Sequence, residues 1–343
     1  MKTHVHFVGS IALDSTREVF EVIGETVRPL VKRCPDGEIG PRRLWISYQW
    51  PLLRATSFLQ TASDTALPGT GLCALRVKAD TPDEDIRFGE LGYAREARTS
   101  YVDFLAARQR GTLAAETRFQ VCLPTPAAVI GAFVIPTDIP RVLPAYAAAM
   151  LREVQLIAAA IPHRDLAIQW DVCIEMIQWD GRFPGLQPIP NMRAVFESTF
   201  AQLASAIPAD VELGFHLCYG DMDAKHFVEP VDLGKAVELA NILIDSSARQ
   251  VNWIHMPVPI NRDDAAFFEP LEQLHRPEGA ELYLGVVHVK DGKEGALRRM
   301  KAASAFVRNF GIATECGIGR ARTRELARRI MAIHAEAAAA FSS

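Results

Sequence analysis

Short apolar runs alternating with longer stretches of helical spacing constrain this chain more than any single motif does. The runs are residues 5–11, 33–38, 118–124, 166–173, 212–218, 251–256, 282–288 and 312–316. Apolar residues recur at three- and four-residue spacing over 15–27, 192–207, 233–244, 294–310 and 323–341, which predicts helices. Asp14-Ser15, Asp138-Ile139-Pro140 and Thr323-Arg324-Glu325 carry helix-start chemistry. Parallel neighbours need a helical crossover, so the alternation predicts a parallel sheet. Eight strands predict a single-domain α/β chain over 1–343, a closed (β/α)8 TIM barrel; an open doubly wound sheet is the alternative. Residues 45–85 break the alternation, with Trp45, Tyr48, Gln49 and Trp50, a polar stretch over 60–64, and Pro68-Gly69. They read as an elaborated loop after strand 2, on the catalytic rim.

Bulk chemistry removes several function classes. A formal charge of -4 gives no electrostatic case for nucleic acid or an anionic membrane. Six scattered cysteines argue for reduced thiols rather than a disulfide framework. No signal core and no uninterrupted apolar run of about 18–20 residues is present, so the expectation is a soluble, cytoplasmic protein.

Under the barrel reading, chemistry-bearing side chains gather where barrel active sites are built, at the carboxyl ends of strands. They are Glu38, Asp171, His216, Cys218, His255, His288 and Cys316. His216 and Cys218, two apart on one strand, point to the same face. With Cys316 they would supply most of a zinc site. A buried strand pair is the plain alternative, since free cysteine is a common core residue. Asp171 is a costly group in an apolar strand unless it is partnered or functional. Glu38 lies in Asp-Gly-Glu, also an ordinary turn sequence. Cys34, Cys73 and Cys122 read as packing residues, with Cys173 an outside candidate for the site. Gly317-x-Gly319, beside Arg320 and Arg322, could receive an anion or simply turn the chain.

At this point the chain resembles a known family, the zinc-dependent catalytic barrel of cobalamin-independent methionine synthase. His216-Leu217-Cys218-Tyr219 is similar to its His-x-Cys-Tyr motif, and Cys316-Gly317-Ile318 to its late Cys-Gly-Leu. Gly9-Ser10, Asp36-Gly37-Glu38 and Asp171 are similar to its substrate-contacting segments. The resemblance implies Zn²⁺ held by His216, Cys218 and Cys316, with His255 standing where the family has a glutamate ligand. Glu315, His288 and Asp221 are alternatives for that fourth place. It further implies Glu38, Asp171 and His288 as catalytic or substrate-orienting groups, and Ser10, Trp45 and Gln49 as candidate binding positions.

The implied partners are a small-molecule thiol and a methyl or alkyl donor, with a folate as one candidate. Departures at His255, Val172 and His288-Val289-Lys290 argue against homocysteine and a polyglutamyl methyl-folate as the pair. Trp45, Tyr48 and Trp50 read as an apolar wall, or as a contact in a homo-oligomer. The expected activity is a zinc-dependent transferase; a lyase or hydrolase, or a non-catalytic zinc-binding barrel, are its rivals.

Overall fold

The computed structural model describes residues 2–67, 70–221 and 225–342; Pro68-Gly69 lies outside them. Among the described residues nine strands occur: β1 Arg33–Pro35, β2 Leu59–Leu67, β3 Leu72–Val77, β4 Arg118–Pro124, β5 Leu166–Val172, β6 Glu212–Leu217, β7 Trp253–Pro257, β8 Glu281–Gly285 and β9 Phe310–Ile312. Seven pair in parallel, in the order β1-β4-β5-β6-β7-β8-β9. The result is a curled parallel sheet of TIM-like character, not the closed eight-stranded barrel expected from the sequence.

The missing strand is residues 5–11. Val5 makes single parallel bridges to both Val31 and Ile312, and Ile11 bridges Ile318. Between them the Phe7 and Val8 carbonyls accept from side chains instead of neighbouring strands. Gln120 Nε2 donates to Phe7 at 2.9 Å and Gln169 Nε2 to Val8 at 2.6 Å. An apolar run predicts extension and burial, but it cannot reveal such competition for backbone acceptors.

The helices follow the expected pattern except that the one expected over 294–310 ends at Ala303. Thr16–Val27 is capped by Ser15, whose hydroxyl accepts from the Glu18 N–H at 3.1 Å. Ile139–Ala160 is the one helix among the described residues long and apolar enough to cross a membrane. It is interrupted by Arg141, Arg152 and Glu153, and buried Glu153 accepts from the Leu91 and Ala94 backbone N–H groups. That is the behaviour of a core helix. The supposed irregular loop contains the antiparallel hairpin β2–β3. The hairpin is fastened to the connection before helix Ile139–Ala160 by Ile135 N–H donating to Leu75 and by Val77 N–H donating to Asp138.

Gly214 shows how tightly the sheet interior is filled. It pairs with Trp253 in register, and a Cβ added there would lie 1.9 Å from the buried indole. The indole is in turn covered by the Arg33 guanidinium at 4.2 Å. Gly214→Ala is expected to destabilise the fold by about 3 kcal/mol, read from chemical denaturation, because neither ring nor strand can move aside.

Candidate metal centre

The carboxyl ends of β6 and β9 bring His216, Cys218 and Cys316 together. One ligand atom from each lies within 4.8 Å of the others, with the two sulfurs 3.7 Å apart. Among the described residues this is the cluster that can hold a metal ion. A backbone group fixes one thiol and a side chain the other: Gly220 N–H donates to Cys218 Sγ at 3.2 Å. An Arg320 N–H reaches Cys316 Sγ at 3.5 Å. Hydrogen bonding with Cys173 raises the Cys218 thiol well above its ordinary value, and hydrogen bonding with Cys218 raises Cys316, burial adding to both. A free thiol pair so placed stays protonated; a cation in the cluster favours the thiolates.

His255 does not join the cluster. Its Nε2 lies 3.0 Å from the Thr314 carbonyl and its Nδ1 2.7 Å from His216 Nδ1. A carbonyl only accepts, so His255 Nε2 carries the proton and its bare Nδ1 accepts from His216 Nδ1–H. Burial holds both imidazoles far below their ordinary value, His255 at about 3, so both are neutral. His216 Nε2 then presents a lone pair, and that buried atom has no other partner. The sequence offered His255 as a fourth metal ligand but could not show that both its nitrogens are spent.

A second chemical group faces the same space. Glu38 and Asp171 both line a cavity of about 820 Å³ that opens onto the cluster. Burial raises both carboxyls, and the Asp171 charge pushes Glu38 further. Two such groups hold a proton that isolated carboxyls would release. Asp171 Oδ1 accepts from Gln169 Nε2 at 2.9 Å, and the Gln169 carbonyl oxygen accepts from His6 Nε2 at 2.9 Å. Glu38 stands at φ 46°, a left-handed conformation for a non-glycine residue. Its N–H donates to Asp36 Oδ1, and Arg42 and Ser100 anchor the other Asp36 oxygen.

The remaining candidates divide. Ser10 and Trp45 line the cavity, as does Cys173. Gln49 does not: it is wholly buried, donating to the Leu91 carbonyl at 3.0 Å and accepting from Tyr146 Oη at 3.1 Å. His288 is also outside the cavity lining. Its Nε2–H donates to the Val258 carbonyl at 2.8 Å, and its Nδ1 faces Glu315, 3.6 Å away. Glu315 turns from the cluster toward His226 and His288, and burial lifts its carboxyl to about 8. Gly317 and Gly319 pack closely on Ser10: a Cβ on either would collide with it, at 2.3 and 2.7 Å. The helix after them begins only at Arg324. Thr314 and Gln169, which orient the two groups, went unread because a carbonyl and an interior amide leave no motif.

No protein-family model matches the sequence, and no curated protein does. Solved structures do. One from Listeria monocytogenes, assigned as a vitamin-B12-independent methionine synthase, shares 13% identity with a TM-score of 0.60, covering 98% of each chain. The two chains share a fold. A B12-independent methionine synthase from Shewanella sp. W3-18-1, in complex with selenomethionine, shares 17% identity with a TM-score of 0.52. That match covers 78% of this chain and 70% of the other. At these identities the likeness is one of architecture, and the chemistry must be argued from the site itself.

Proposed function

We propose that this chain is a zinc-dependent methyl- or alkyltransferase acting on a small thiol. The observation that carries the reading is a three-donor cluster, His216, Cys218 and Cys316, facing a large cavity. The residues fit zinc: two sulfurs and an imidazole are its preferred donors, and His216 Nε2 is a buried, partnerless lone pair. Three protein ligands beside open space are the pattern of a catalytic rather than a structural site. When bound, zinc supplies the Lewis acidity that lets a thiol ionise near neutral pH.

The chain's own residues do the rest. His255 and the Thr314 carbonyl hold His216 in the tautomer that leaves Nε2 free, the orienting role outer-shell partners commonly play. The Glu38–Asp171 pair takes up the proton the thiol loses, or holds a cationic part of a substrate. Leu44, Trp45, Trp50, Leu67 and Leu72, from the rim loop and hairpin, give the alkyl donor an apolar wall and keep water out. A folate is one donor that this wall could receive.

Replacing His255 by phenylalanine is expected to weaken zinc binding about 10–100-fold, measured by competition with a chelator. The reaction class is tested by supplying zinc-loaded protein with a thiol and a methyl donor and following the S-methyl product by mass spectrometry. Product that depends on both substrates supports the transferase. Turnover of the donor with no thiol present would move the assignment to a lyase or hydrolase.

A further inference from the structure

Arg320 is the only arginine or lysine among the described residues lining the cavity. It sits beside the cluster, one N–H directed at Cys316 Sγ, and most of its side chain is buried. Its charge is poorly matched. Among the described residues the nearest carboxylate oxygen, Asp221 Oδ2, is 3.6 Å away, beyond hydrogen-bond length, and Arg322 approaches that same oxygen at 3.5 Å. Two guanidiniums thus share one carboxylate, and that oxygen accepts no hydrogen bond. The Arg320 Nε–H, also buried, meets no acceptor. A buried cation with open donors is costly unless a ligand fills them. Arg320 lines the same cavity as Glu38 and Asp171, and its charge acts on both carboxyls against the effect of burial.

We propose that Arg320 binds the carboxylate of a mercapto-acid substrate, so that the site selects anionic over neutral thiols. This rests on the thiol-transferase reading above. The guanidinium fork matches a carboxylate edge-on, and its Nε–H is a buried donor the protein leaves unfilled. A thiol at the cluster would place a carboxylate a short carbon chain away, within the same cavity. Arg320 acts here as a specificity-determining residue, distinct from the ligands that hold the metal.

The experiment is calorimetric titration of the zinc-loaded full chain with thioglycolate and with mercaptoethanol, at concentrations that leave the zinc content unchanged. Wild type is expected to bind thioglycolate about tenfold more tightly or better. Arg320→Gln should abolish that preference while keeping mercaptoethanol binding and zinc. Arg320→Lys, which keeps charge but loses the fork, should show a reduced preference, and it decides the matter if the glutamine variant loses zinc or fails to fold. Equal affinities in wild type, or a preference undiminished in either variant, would overturn the Arg320 assignment alone. Binding of neither thiol by wild type would overturn the transferase reading with it.

Discussion

Cys218→Ser is expected to lower zinc affinity by several orders of magnitude and to take thiol alkylation to background. Sites of this kind bind zinc with apparent free energies of about 10–16 kcal/mol, strongly dependent on their thiolates. Removing one of two thiolates leaves a neutral imidazole and a single sulfur around a dication, in a wall that offers Glu315 only to His226 and His288. His255 cannot move in as a replacement without giving up the Thr314 carbonyl and His216 together. Dialysis against a chelator, followed by metal analysis, reads the affinity; unfolding curves separate metal loss from misfolding. Retention of wild-type zinc and turnover in the folded variant would remove Cys218 from the site.

Asp171→Asn is expected to reduce kcat/KM by about 10²-fold or more while making the protein more stable at neutral and alkaline pH. The stability sign follows from linkage. The folded-state value of Asp171 is raised above the ordinary value of about 3.9, mainly by burial. The native chain therefore binds more protons than the unfolded chain over the interval between those values. The benefit is complete below about pH 4 and is lost as pH rises toward the folded value. Asparagine never ionises, so its advantage over wild type grows from pH 5 to pH 8 in denaturant titrations. The pH–rate limb belonging to the Glu38–Asp171 pair should disappear from the residual activity. A variant that loses both activity and stability at pH 8 would mean that Asp171 is a structural anchor.

What the sequence made legible depends on whether a residue's role is fixed by periodicity. His216 and Cys218 were readable because two soft donors at i and i+2 must share a face of β6, and Cys316 because it follows an apolar run. Asp171 stood out as a carboxylate in a strand buried along its whole length. His255 entered as a strand-end residue and as the resemblance's fourth ligand, and the register pairs it with His216. The sequence could not say which ring nitrogen remains free, since that is decided by a carbonyl on the loop after β9. Gln49 and Trp45 lie four residues apart in a segment with no period to read. One turns inward to Tyr146 and the other faces the cavity. The expected strand over 5–11 failed for a related reason: Gln120 and Gln169 intercept its carbonyls from across the interior.

The most direct test of the central claim is X-ray absorption at the zinc edge of the purified, zinc-loaded chain, with the metal content measured on the same sample. About one zinc per chain is expected, with two sulfur scatterers at about 2.3 Å and one imidazole nitrogen at about 2.0–2.1 Å. The remaining position should gain a third sulfur when a thiol is added. A folded protein that takes up no zinc, or zinc without sulfur neighbours, would contradict that claim.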